Sequence, residues 1–316
     1  MRKHLMTGAV CVALSACETG TDDASSSSGG AQAKGNAQIF LEAEDTIPEG
    51  LEPGDGEENI QDGWTVRYDK FLAVVGNFRA TSSANSQASL AKPDVLVVDL
   101  RSLPVGGLVL AEFTDVAAIR YDRVGYDIPN ASASSTCAPG ISADDCAMMK
   151  QNGYSIFIEG VISKTDGQSC SPTQPNQCVA AAEVRFRWGL AAGTAFDDCA
   201  PPEGDSGFSI PTGGTAQVKP TIHGDHWFFT NITQGEEITE RKAQWIANGD
   251  LDHDGETTLA ELGQVAASDV FPASEGYNLS GAIIPVNTAR DYVEAQARTL
   301  GDFQGEGECP TRRILD

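Results

Sequence analysis

The chain has 316 residues, with 45 Asp and Glu against 21 Lys and Arg, for a formal net charge of -24 and an isoelectric point near 4.4. So acidic a chain carries no electrostatic footprint for a phosphate backbone or an anionic lipid surface, and nucleic acid is excluded as an expected partner. At 41% hydrophobic residues, 33 Gly and 15 Pro it is loop-rich, yet apolar enough for roughly one large core or two modest ones.

The N-terminus reads as an address. Arg2 and Lys3 form a positive start, and Leu5 to Leu14 is an apolar stretch well below the roughly 20 residues of a spanning helix. It ends in Leu14-Ser15-Ala16-Cys17, which resembles the lipobox of bacterial lipoprotein precursors. The resemblance implies that residues 1–16 are a signal peptide cut before Cys17, whose thiol takes a diacylglycerol and whose new amine is acylated. A mature protein of that kind is anchored by lipid to a bacterial membrane of the cell envelope, facing the periplasm or the exterior, without spanning it. Losing residues 1–16 removes Arg2, Lys3 and no acid, so the net charge becomes -26. Residues 17–38 lack apolar periodicity and are rich in Ser, Gly, Ala and Gln, the composition of a flexible linker with a mean span of about 25 Å.

Residues 39–230 have period-two and β-branched texture. Trp64–Tyr68, Val95–Leu100, Gly107–Phe113, Ala118–Val124, Tyr154–Ile158, Ala182–Trp188 and Thr215–Val218 leading to Ile222 read as strands between Gly, Pro, Asn, Asp and Ser clusters. With no helical pattern between them, these predict an antiparallel sandwich or barrel. Val184, Phe186 and Trp188 fall on one face of their strand, and Glu183, Arg185 and Arg187 on a wet face. Of 8 Cys, Cys11 leaves with the signal and Cys17 takes the lipid. The remaining Cys137, Cys146, Cys170, Cys178, Cys199 and Cys309 read as a disulfide set in an oxidising compartment. Among about fifteen possible pairings, proximity favours Cys137–Cys146 and Cys170–Cys178, each closing a polar loop, which leaves Cys199 with Cys309. No Cys-x-x-Cys is present to suggest zinc or redox chemistry.

Gly204-Asp205-Ser206-Gly207 echoes the nucleophile segment of trypsin-like proteases, but that family places its histidine upstream of the serine. Here His223, His226 and His253 all lie downstream. His223-Gly-Asp-His226 offers two imidazoles and a carboxylate to a transition metal such as copper or zinc. Residues i and i+3 of a strand point to opposite faces, so both reach one ion only if Gly224-Asp225 turns. Otherwise the two are histidines ending a strand and hydrogen-bonded where sheet gives way to helix.

Residues 231–316 change to a small α-helical unit. Thr233 to Glu236 has the form of a capping box, opening a helix with Ile238, Trp245 and Ile246 inward and Gly249 at its end. A second helix is expected from Thr258, with Leu259, Leu262 and Val265 apolar. A third spans Thr288–Leu300, capped by Thr288 and Asp291 and stopped by Gly301. Between the first two stands Asp250-Leu-Asp252-His-Asp254-Gly255-Glu256-Thr-Thr258-Leu-Ala-Glu261, which resembles the twelve-residue EF-hand calcium loop. Ca²⁺ takes six to eight hard oxygens at about 2.3 to 2.6 Å, and alternate positions of a tight turn aim theirs at one point. The resemblance implies that Asp250, Asp252 and Asp254 each give a carboxylate oxygen, Glu256 its carbonyl, Thr258 a water-mediated contact and Glu261 both oxygens. Gly255 makes the sharp bend. Position eight, usually a branched aliphatic facing a second loop, is Thr257, and no second loop of this spacing occurs.

These signals together predict a calcium-binding, lipid-anchored envelope protein with a structural or interaction role rather than an enzyme. Two alternatives stand beside it. One is an envelope hydrolase with an acidic site on the β domain; the other is a copper- or zinc-binding protein using His223 and His226. The sequence names neither a protein nor a glycan partner.

Overall fold

The structure is a computed structural model that describes residues 32–233 and 240–315. The signal segment, Cys17 and most of the expected linker lie outside the described residues, as do Glu236 and Ile238. Strand β1, Lys34–Ala43, begins inside the segment read as linker, and its alternate residues Ala37, Ile39 and Leu41 are fully buried. It is followed by β2 (Thr65–Ser82), β3 (Asn85–Asp99), β4 (Leu108–Ala117), the short β5 (Arg120–Tyr121), β6 (Arg123–Ile128) and β7 (Thr136–Cys137).

The chain then forms α1, Ala143–Asn152, where only strands were expected. Its amphipathic pattern is weak, and its ends carry the signal: Ser142 caps the Asp145 N–H, and Gly153 closes the helix at φ 64°. The helix is needed because period two buries both faces of mid-β2. Phe71, Ala73 and Val75 enter the main core, whereas Leu72 and Val74 point the other way, onto Cys146 and Met149 of α1.

Further strands are β8 (Ile156–Ser163), β9 (Gln168–Ser171), β10 (Gln174–Ala180), β11 (Glu183–Leu190), β12 (Thr194–Phe196), β13 (Phe208–Ser209), β14 (Thr215–Val218) and β15 (Pro220–Ile222). After Phe229 come the helices α2 (Gln244–Gly249), α3 (Leu259–Leu262), α4 (Ala267–Val270) and α5 (Ala289–Gln296), with β16 (Glu256–Thr257), β17 (Gly301–Phe303) and β18 (Thr311–Arg313) among and after them.

The protein is mainly β. One curled sheet runs β16-β11-β8-β2-β6-β12-β18, with β3 on β2 and β7 on β3; a second runs β14-β1-β15-β17, with β4 on β1. Most pairs are antiparallel, but β1 lies parallel to both β14 and β15. On β11, Val184, Phe186 and Trp188 are buried and Glu183, Arg185 and Arg187 exposed, as the alternation requires.

The expected helices are shorter than read. Residues 240–243 are not helical and α2 has six residues; α3 has four. The third ends at Gln296, five residues before Gly301, which begins a strand. Trp245, Ile246, Leu262, Tyr292 and Val293 share one continuous core with Val66, Phe186 and Trp188 of the sheets. The disulfides are Cys137–Cys146, Cys170–Cys178 and Cys199–Cys309. The last spans 110 residues and ties the C-terminal segment to the body.

Candidate metal centres

Two groups of side chains are arranged as a metal site would be. The first is the loop after α2. Oxygens of Asp250, Asp252 and Asp254 lie within 4.8 Å of one another. Backbone N–H groups hold them there. Asp250 accepts from Asp254 (3.1 Å) and Gly255 (3.0 Å), and Asp254 accepts from Glu256 (2.9 Å). His253 at φ 60° and Gly255 at φ 90° make the bend. Glu261 folds back over the start of the loop, accepting from the Leu251 N–H at 2.9 Å and, through its second oxygen, from Thr258. Burial raises the Asp250 pKa, and Glu261 and Asp254 push it further while the two N–H bonds oppose them. Carboxylates crowded around one point in this way suit a hard cation better than they suit one another, and the all-oxygen donor set fits calcium.

One expected ligand has other partners. The Thr258 hydroxyl donates to Glu261 and accepts from its N–H, forming the capping box of α3. Thr257 turns to the large sheet instead of a second loop: Glu256 and Thr257 pair with Arg185 and Phe186, and Trp188 Nε1 donates to the Thr257 carbonyl at 2.8 Å. The ring of His253 lies 3.4 Å from the Ser169 hydroxyl, beside the Cys170–Cys178 hairpin.

The second group is built by the smaller sheet. Glu42, Thr221 and Asp302 stand side by side on β1, β15 and β17. Two residues further along, on the same face, come Glu44 and His223. The chain turns at Gly224-Asp225 into a single 3-10 turn, His226–Phe228, so the condition for the two histidines to approach is met: their ring centroids are 5.2 Å apart. Asp302 Oδ2 lies 3.3 Å from His223 Nε2 and 3.9 Å from His226 Nε2. The other His223 nitrogen is 3.7 Å from Glu44 and 3.8 Å from Asp225. His223, Asp225, His226 and Asp302 are all at least nine-tenths buried. Sequence reasoning missed Glu44 and Asp302, because strand register alone brings residues 44, 223 and 302 together.

Arg241 closes the cluster on one side. Its Nε and Nη2 reach Asp225 Oδ2 at 2.8 and 2.6 Å, and its plane lies over the Phe229 ring. Asp225 Oδ1 is buried and has no hydrogen-bond partner among the described residues. Burial drives the His226 pKa down to about 3, so that imidazole is neutral. Burial also pulls on His223, but Asp302, Asp225, Glu306 and Glu44 outweigh it and raise its pKa above the ordinary value. Glu44 is pushed up to about 7 by burial and by Asp225, and Asp302 rises well above the carboxylate range for the first of those reasons. His226 Nδ1 lies 3.0 Å from the Thr299 hydroxyl, itself 2.9 Å from the Gln296 carbonyl, so Nε2 is the nitrogen turned toward Asp302.

Ser206 stands apart from all this: its hydroxyl donates to the Asp122 carbonyl, so the protease-like segment brings no histidine to its serine.

No family model matches the chain, and none of the curated proteins does. Among solved structures, MbnP from Methylosinus trichosporium is similar at a TM-score of 0.31 and 8% identity, over 66% of this chain and 80% of that one, a likeness too slight to carry an argument about fold or function.

Proposed function

We propose that the chain is a calcium-binding protein of the bacterial cell envelope, anchored through lipid on Cys17, in which the ion braces an EF-hand-like unit against a β-sandwich. The role is structural or interactive rather than catalytic. The observation that carries the reading is the convergence of Asp250, Asp252 and Asp254, with Glu261 folded over the same loop. The three disulfides fit an oxidising compartment outside the cytoplasm. Calorimetric titration of the full chain with calcium is expected to give one site, of order 0.1 to 1 mM as extracellular modules show, absent in Glu261→Ala. Flat heats at millimolar calcium would overturn the reading. Replacing Cys17 by Ser is expected to release the protein from the membrane fraction, and retention there would remove the anchor.

A second reading rests on the other group. Two imidazoles facing a buried carboxylate oxygen without a partner, Asp225 Oδ1, favour a transition-metal site at His223 and His226, of the kind that takes zinc or copper. Loss of zinc binding in His223→Ala with calcium binding unchanged is the expected result; zinc affinity untouched by that change would sink it.

A further inference from the structure

Granting a transition-metal site at His223 and His226, we infer that Asp302 is its anionic ligand, delivered by β17, and that the site therefore selects a divalent ion. The inference rests on the second reading above, and geometry carries it. Donors around a four-coordinate ion bound at about 2.0 to 2.1 Å stand about 3.3 Å apart. Asp302 Oδ2 lies 3.3 Å from one Nε2 and 3.9 Å from the other, so it is the atom that both imidazoles face.

Strand β17 is held in place by bonds of its own. Asp302 opposes Thr221 across the β15–β17 pair, the Tyr126 hydroxyl donates to the Asp302 carbonyl at 2.9 Å, and Cys309 is tied to Cys199. None of these bonds uses the carboxylate, which is left to the imidazoles. Asp225 approaches the other side of the His223 ring, its Oδ1 3.8 Å from Nδ1 and its second oxygen neutralised by Arg241, so water would fill the fourth position of the ion. Three carboxylates, of Glu44, Asp225 and Asp302, surround two imidazoles. Among the described residues Arg241 is the one Lys or Arg within ion-pair distance of any of the three. A dication offsets that charge better than a monovalent ion does. No thiol or thioether stands among these donors, so a soft monovalent ion lacks the ligand it prefers.

The test is a zinc titration and a cobalt(II) titration of the full chain, with millimolar calcium present to keep the other metals off the loop. The wild type is expected to bind one equivalent and to give the intense visible absorption of four-coordinate cobalt. His223→Ala should abolish it. Asp302→Asn should weaken zinc by more than about 100-fold, beyond what loss of an outer-shell partner produces. Because Asn keeps the shape of the carboxyl group, the metal-free melting temperature of that variant should not fall, whereas a purely structural role would lower it. Undiminished zinc affinity in Asp302→Asn, or the weak absorption of six-coordinate cobalt in the wild type, would overturn the assignment while leaving the histidine site standing. Absence of any binding in the wild type would overturn both.

Discussion

The oxygen-lined loop and the imidazole cluster sit in one protein but are made in opposite ways. The loop is twelve consecutive residues, partly exposed, whose ligands are held by the N–H groups of the same turn. The cluster draws on residues 44, 223–226, 241 and 302, is buried, and is assembled only when β1, β15 and β17 are in register. The disulfides differ in scale too: Cys170–Cys178 spans 8 residues in the hairpin next to the loop, and Cys199–Cys309 spans 110 and ties in the segment that follows β17. A local motif can survive in a damaged fold; a site built from distant segments is a readout of the whole fold. Variants can break or sharpen that contrast.

The largest effect is expected at Arg241. The Arg241–Asp225 pair is nearly inaccessible, and removing one partner of a buried pair leaves an uncompensated charge, at about 3 to 5 kcal/mol. Arg241→Met is therefore expected to lower stability by that order in denaturant unfolding, with calcium binding to the loop retained at temperatures where the protein is folded. Added zinc should restore part of the loss, since a dication replaces the missing guanidinium. A change below about 0.5 kcal/mol, the level of an ordinary surface substitution, would show that Asp225 does not depend on its partner.

Glu44 tests the same cluster with the opposite sign. Its pKa is about 7 in the folded protein, against 4.5 for the free side chain. A carboxyl raised in this way contributes stability that is complete below pH 4.5 and is lost as the pH rises through 7. Glu44→Gln removes the loss. In chelator, the variant should match the wild type near pH 4 and exceed it by about 2 kcal/mol at pH 8, where Asp225 and His223 share the field of the ionised carboxyl. A difference independent of pH would mean that the carboxyl ionises freely in the fold.

How much of this was legible in the sequence follows from the same contrast. Strand alternation in Val184, Phe186 and Trp188 was visible because a half-wet sheet writes its burial into every second residue. The grouping of Asp250, Asp252 and Asp254 was visible because it depends on spacing within one turn. Helix α1 was not, since its stripe is weak and only Ser142, Asp145 and Gly153 marked its ends. The short α2 and α3 were overestimated: six and four residues do not stand alone, and the core that Trp245 and Leu262 share with the sheets holds them. Asp302 had no local signal at all, being one acid among 45 until β17 placed it beside His223.

The smallest effect is expected from calcium itself. A lone loop that docks on β11 through Thr257, rather than on a second loop, has its framework made in advance by the Trp188–Thr257 bond and the Cys170–Cys178 hairpin. The ion then adds little order. Stabilisation follows mass action, and at ten times the dissociation constant it is about 1.4 kcal/mol, or a melting shift of about 2 to 5 °C for a chain of this size. Asp250→Asn should abolish that shift. It should not lower the metal-free melting temperature, because the amide oxygen still accepts from Gly255 or Asp254 and the repulsion from Glu261 and Asp254 is relieved. His223→Ala should leave the calcium shift intact. If it also abolished the shift, the loop would share the dependence of the buried cluster on the whole fold, and the distinction between a local site and an assembled one would fail in this protein.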